Sequence, residues 1–117
     1  MISKFEFSEQ VVGILVDSDI DTKTLDEIHE EILNKLDSHP TINLFVEITE
    51  GHSISLINIL KDLIFKLDHA KHFSKIAMVS DLKRMTSAMI FKDLVMKADV
   101  RAFENEERME AMNWISE

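Results

Sequence analysis

Glu50, Gly51, His52, Ser53 and Ser55 crowd into the stretch E-G-H-S-I-S, a mixture of carboxylate, imidazole and hydroxyls that invites three chemistries. Serine, histidine and glutamate together suggest hydrolysis. A triad, however, needs its base oriented by a third group, and adjacent residues of one turn rarely meet that geometry. The chain also carries no G-x-S-x-G elbow, no G-x-x-x-x-G-K-[ST] loop and no G-x-G-x-x-G. Catalysis is not expected there. A helix start near Ser53 and Ser55 would instead favour an anion, through unpaired N–H groups and the helix dipole, and would suit a phosphoserine. The plainest role is structural: Gly51 takes a positive φ, and Ser53 or Ser55 caps the helix. Capping takes precedence over modification.

Ser80, Asp81 and Lys83 follow a second apolar run, and ligands of parallel α/β sheets favour the crevice beyond the carboxyl ends of the strands. Glu50, His52, Ser53 and Asp81 are thus the players in an alternative reading, a small enzyme or a nucleotide- or phosphometabolite-binding protein. His69 and His72 stand i,i+3 beside Asp68. Spacing indicates no third ligand, and histidines near a helix C-terminus are favoured by the dipole anyway. No metal or cofactor is expected. His29 falls on an apolar stripe beside Ile32 and Leu33, which suits a partly buried, hydrogen-bonded core residue.

The elements that must position these groups follow from hydrophobic period. Phe5 and Phe7 share a face, and Val12, Ile14 and Val16 alternate, which predicts two antiparallel strands. Leu25, Ile28, Ile32, Leu33 and Leu36 recur at helical spacing, with Asp21 or Thr24 as the cap. I-N-L-F-V-E-I (42–48) is apolar enough for a strand buried on both faces. Helices are expected over 55–71 and 82–96, a strand over 75–81, a short strand in A-D-V-R-A-F and a closing helix in E-N-E-E-R-M-E-A-M-N-W-I-S. The order β-β-α-β-α-β-α-β-α predicts one α/β domain over 1–117, a mixed, largely parallel five-stranded sheet with four helices.

Composition excludes several classes. Twenty-two acidic against 13 basic residues give a formal charge of −9, a field that repels nucleic acid and anionic membranes. No cysteine is present, so disulfides and thiolate chemistry are out. The opening M-I-S-K-F-E-F-S-E-Q has no basic flank followed by an apolar run, and no apolar stretch approaches the ~20 residues that span a bilayer. No secretory leader and no membrane span are expected, and a cytoplasmic location is.

Three stretches carry a resemblance. A-D-V-R-A-F-E-N-E-E-R-M-E-A-M-N-W-I-S-E resembles the closing strand and helix of SpoIIAA-like proteins, a branch of the STAS/SEC14-like domains, in its "VR-aromatic" strand and in Glu110, Ala111, Trp114 and Ile115. K-I-A-M-V-S-D-L-K is similar to that family's K-I-A-V-V-G-D strand. F-V-E-I-T-E-G-H-S-I-S-L-I-N-I-L-K-D-L is similar to its V-E-L…E-G-W-S turn and following helix. The resemblance implies a compact α/β domain, often dimeric, without an established enzymatic activity. The STAS side implies a protein-interaction module, sometimes switched by serine phosphorylation, and the SEC14 side an apolar-ligand pocket. Phosphorylated STAS domains carry Asp-Ser-Ser-Gly where this chain has Gly51-His52-Ser53-Ile54-Ser55, and lipid-transfer SEC14 proteins are far longer.

The last signal is an apolar excess. In the helix over 55–71, Leu56, Leu60, Leu63, Ile64 and Leu67 make the expected inward stripe, with Phe65 on the other side among Asn58, Lys61, Asp62 and His69. The helix over 82–96 is apolar nearly all round, with Met85, Met89 and Met96 on one side, Ile90 and Leu94 on another and Phe91 on a third. The two helices covering each other is the plainest outcome, a homodimer the next, and a methionine-lined groove for an apolar ligand the third. These residues predict a non-enzymatic, homodimeric module that binds a protein partner or a small apolar molecule through Phe65, Met85, Met89, Phe91 and Met96.

Overall fold

In this computed structural model, residues 2–5, 9–81 and 99–117 are described. Two-residue alternation sets the sheet. The strands β1 (Ile2–Phe5), β2 (Val11–Val16), β3 (Ile42–Ile48), β4 (Phe73–Val79) and β5 (Asp99–Phe103) lie in the order β1-β2-β3-β4-β5. β1 pairs antiparallel with β2, and every later pairing is parallel. This is the predicted mixed, largely parallel sheet. Val12, Ile14, Val16, Leu44, Val46, Ile48, Ile76 and Val100 point to one face, and Val11, Phe45, Ala77 and Val79 to the other. Both faces are covered, which is why β3 reads as a nearly unbroken apolar run.

Helices α1 (Thr22–Leu36) and α2 (Leu56–Asp68) follow β2 and β3 and lie on the first face. Successive parallel crossovers stepping the same way across a sheet must share a face if each is right-handed. Leu25, Ile28 and Ile32 of α1 are buried there, whereas Leu33, expected inward, is largely exposed. Asp21 caps α1, accepting the Thr24 N–H at 2.8 Å, and Thr24 lies inside the helix. That donor holds the Asp21 carboxyl below the ordinary carboxylate range.

A 3-10 turn at Asn105–Glu107 leads into α3 (Arg108–Ser116), which covers the opposite face with Ala111, Trp114 and Ile115. Trp114 lies under Arg101, whose guanidinium carbon is 4.6 Å from the ring centroid. Lys75 donates to the Trp114 carbonyl at 3.2 Å, satisfying a terminal helix carbonyl with a cation. The helix expected over 82–96 lies outside the described residues, and with it Met85, Met89, Phe91 and Met96.

Candidate functional site

The carboxyl ends of β2, β3 and β4 bring together three loops. Ser53 donates its N–H to Asp19 Oδ1 at 2.9 Å, and Gly51 donates its N–H to Asp81 Oδ2 at 3.3 Å. His52 sits between two carboxylates, Nε2 at 3.5 Å from Asp17 and Nδ1 at 3.4 Å from Asp19. The Thr49 hydroxyl donates to Asp17 at 2.8 Å. That bond first, and His52 second, hold the Asp17 carboxyl below its ordinary range. His52, Ser53 and, through Gly51, Asp81 thus meet at the strand ends, and Glu50 lies exposed in the same turn. Asp17 and Asp19 belong to it as well, and the strand-exit rule applied to V-D-S-D after β2 would have found them.

The chemistry of the crevice is acidic. Two of the N–H groups a phosphate would need, on Ser53 and Gly51, are already held by the chain's own carboxylates. Ser55 is the cap of α2 and accepts the Asn58 N–H at 3.3 Å through its side chain. Ser53 instead uses its carbonyl, accepting the Ile20 N–H at 2.8 Å. This lattice ties the β2–α1 loop to the turn before α2 and occupies two of that turn's donors with carboxylates.

Gly51 takes φ +87°, the conformation the turn required, and nothing lies within 4 Å of where a Cβ would stand. Gly51→Ala is therefore expected to cost only the left-handed backbone strain, about 1–2 kcal/mol, read by chemical denaturation. An unchanged midpoint would mean that the turn relaxes to another conformation.

α2 departs from expectation. Of its stripe expected to face inward, Leu60, Ile64 and Leu67 are 46%, 58% and 39% exposed, and Ile57 beside them is 60% exposed, while the side chains of Leu56 and Leu63 lie outside those described. Its polar side faces the sheet, with Asn58 and Lys66 buried and Asp62 mostly so. Phe65, expected on the outer surface, packs partly buried against the core and stacks on His29 at 3.8 Å between centroids. The reason is polar pairing across helices. Asp62 accepts from His29 Nε2 at 2.9 Å and from Lys66 Nζ at 2.7 Å, and Lys66 also reaches Met78 Sδ at 3.8 Å. Asn58 donates to the Ile20 carbonyl at 3.2 Å. Burial pushes the Asp62 carboxyl upward, but the Lys66 ammonium and the His29 bond outweigh it and leave it below its ordinary value. His29 is the hydrogen-bonded, partly buried histidine expected of it. Sequence periodicity had no means to find Asp62 and Lys66, because they lie opposite the apolar moment of their own helix.

Between α1, α2 and the sheet is a cavity of about 30 Å³, walled by Ile28, Ile32, Leu44 and Val46 and edged by Asp62 and Lys66. That is room for a water molecule or two and not for an acyl chain. On the other face Glu47, buried on β3, lies 2.6 Å from Arg108 Nε at the start of α3, an ion pair rather than an aligned hydrogen bond. His69 Nδ1 pairs with the Phe65 carbonyl and His72 Nδ1 with the Pro40 carbonyl, so these two rings do not converge. Among the described residues no group of three or more His, Asp or Glu side chains is arranged to hold a metal ion, and no helix is long and apolar enough to cross a membrane.

A family model described as SpoIIAA-like matches residues 11–116. Among solved structures, an uncharacterised protein with a SpoIIAA-like fold from Shewanella loihica PV-4 superposes with a TM-score of 0.70. The two are 16% identical, over 97% of this chain and 93% of that one, which speaks for the fold alone. No curated protein matches the chain.

Proposed function

The chain belongs to the SpoIIAA-like family, and from that premise we propose that it is a non-enzymatic, cytoplasmic interaction module that pairs with a second copy of itself through the outer face of α2. The observation that carries this reading is the exposed row Ile57, Leu60, Ile64 and Leu67. Spacings of three and four residues place all four side chains on one helical stripe. They are also four of the six large hydrophobic residues exposed among those described, so the exposure is concentrated rather than scattered. A single stripe is self-complementary about a two-fold axis, the usual symmetry of small homo-oligomers. The small core cavity gives an enclosed apolar ligand little support, and the acidic crevice gives a nucleotide less.

Four side chains on one helix make a small interface, and a charge of −9 per copy opposes association. The dimer is therefore weak, concentration-dependent and strengthened by salt. Sedimentation velocity of wild type and Ile64→Asp tests it. Wild type should move toward the dimer with rising concentration and Ile64→Asp should stay monomeric, with unchanged circular dichroism because residue 64 lies outside the core. Monomeric wild type at high concentration and high salt overturns the reading.

A further inference from the structure

We propose that the buried network of His29, Asp62 and Lys66 is a latch that sets the roll of α2, and that weakening it turns the row of Leu60, Ile64 and Leu67 from solvent onto the sheet. Two faces of one helix compete for the same place. Asn58, Asp62, Phe65 and Lys66 occupy it, at i, i+4, i+7 and i+8, while Ile57, Leu60, Ile64 and Leu67 look out. Burial of apolar surface alone selects the opposite roll. The observed one survives because Asp62 is bracketed by His29 from α1 and by Lys66 from its own helix. Phe65 also stacks on His29 at 3.8 Å between centroids and meets the tilted ring of His69 at 4.4 Å. Buried charges are tolerated only while paired, so the pairing and the roll stand or fall together. The latch thus determines whether the outer row is available at all, whatever binds it.

The chain has no cysteine, so Ile64→Cys places one thiol reporter on the outer row. Its reaction with a maleimide is followed at a dilution where sedimentation shows monomer, which keeps the result independent of dimer formation. With the latch intact the thiol should react within several-fold of a free thiol. In Asp62→Asn/Lys66→Gln, neutral amides replace the charges, and the rate should fall at least tenfold as the row turns inward. In Asp62→Leu/Lys66→Met, apolar side chains keep the inner face inward and the rate should match the latched protein. A folded Asp62→Asn/Lys66→Gln protein that reacts as fast as the latched one overturns the latch, and so does slow reaction with the latch intact. Should that variant fail to fold, Lys66→Gln alone, which leaves Asp62 on His29, is read in the same way: intermediate slowing supports the latch, and an unchanged rate overturns it.

Discussion

Phe45→Ala is expected to lower the free energy of unfolding by about 3–5 kcal/mol, a large share of the roughly 5–15 kcal/mol typical of a domain. Phe45 is 0% exposed in the middle of β3 and packs on the α3 face of the sheet with Ala77, Ala111, Trp114 and Ile115. Two of those neighbours are alanines, too short to swing into the space a lost ring leaves. The loss therefore combines the transfer term with a persistent cavity. Urea denaturation of the variant measures it. Leu60→Ala in the same experiment should move the midpoint hardly at all, because residue 60 faces solvent and surface changes stay within about 0.5 kcal/mol. A large loss at Leu60 together with a small one at Phe45 would mean that the faces of sheet and helix have been assigned wrongly.

Asp62→Ala should cost about 3–5 kcal/mol by leaving the Lys66 ammonium buried without its carboxylate. The Lys66 and Asp62 side chains are only 9% and 19% exposed, so solvent cannot replace the lost partner unless α2 rolls, which itself gives up the observed packing. Asp62→Leu/Lys66→Met should recover most of that loss, since removing both charges also removes both desolvation penalties. Comparing that double variant with Asp62→Leu and Lys66→Met alone gives the coupling directly. The pH dependence has a definite sign. The Asp62 carboxyl is depressed in the folded protein, so its contribution is complete above about pH 4 and is lost as pH falls through the lower folded value. Acid unfolding followed by circular dichroism should show that loss in wild type, and the same part of the curve should be flatter in Asp62→Leu/Lys66→Met. Identical acid limbs would remove Asp62 from the account.

The sheet was legible because its signal is local. Val12, Ile14 and Val16 can alternate in only one way, and the nearly unbroken apolar run of β3 says that both of its faces are covered. The turn was legible for a similar reason, since Gly51 is the residue that takes a positive φ at least cost. Which hydroxyl caps α2 was left open between Ser53 and Ser55, and a contact resolved it: Ser53 is drawn into a backbone pairing with Ile20, leaving Ser55 at the helix start. Asp17 and Asp19 were legible only through the strand-exit rule, which was not carried to the end of β2. They reach His52 because β2 lies beside β3 in parallel, which brings the two strand exits together.

Periodicity determined that α2 is a helix and where its apolar stripe runs, because side-chain spacing along a helix is a property of the chain itself. It did not determine which way that stripe faces. Amphipathicity names two sides without naming the neighbour each one meets, and the choice fell to contacts that exist only after folding. His29 lies 33 residues from Asp62 in the chain and 2.9 Å from it in space. A buried ion pair and a stacked ring outweighed the apolar moment of the helix that carries them. Tertiary structure alone turned Leu60, Ile64 and Leu67, expected in the core, toward solvent.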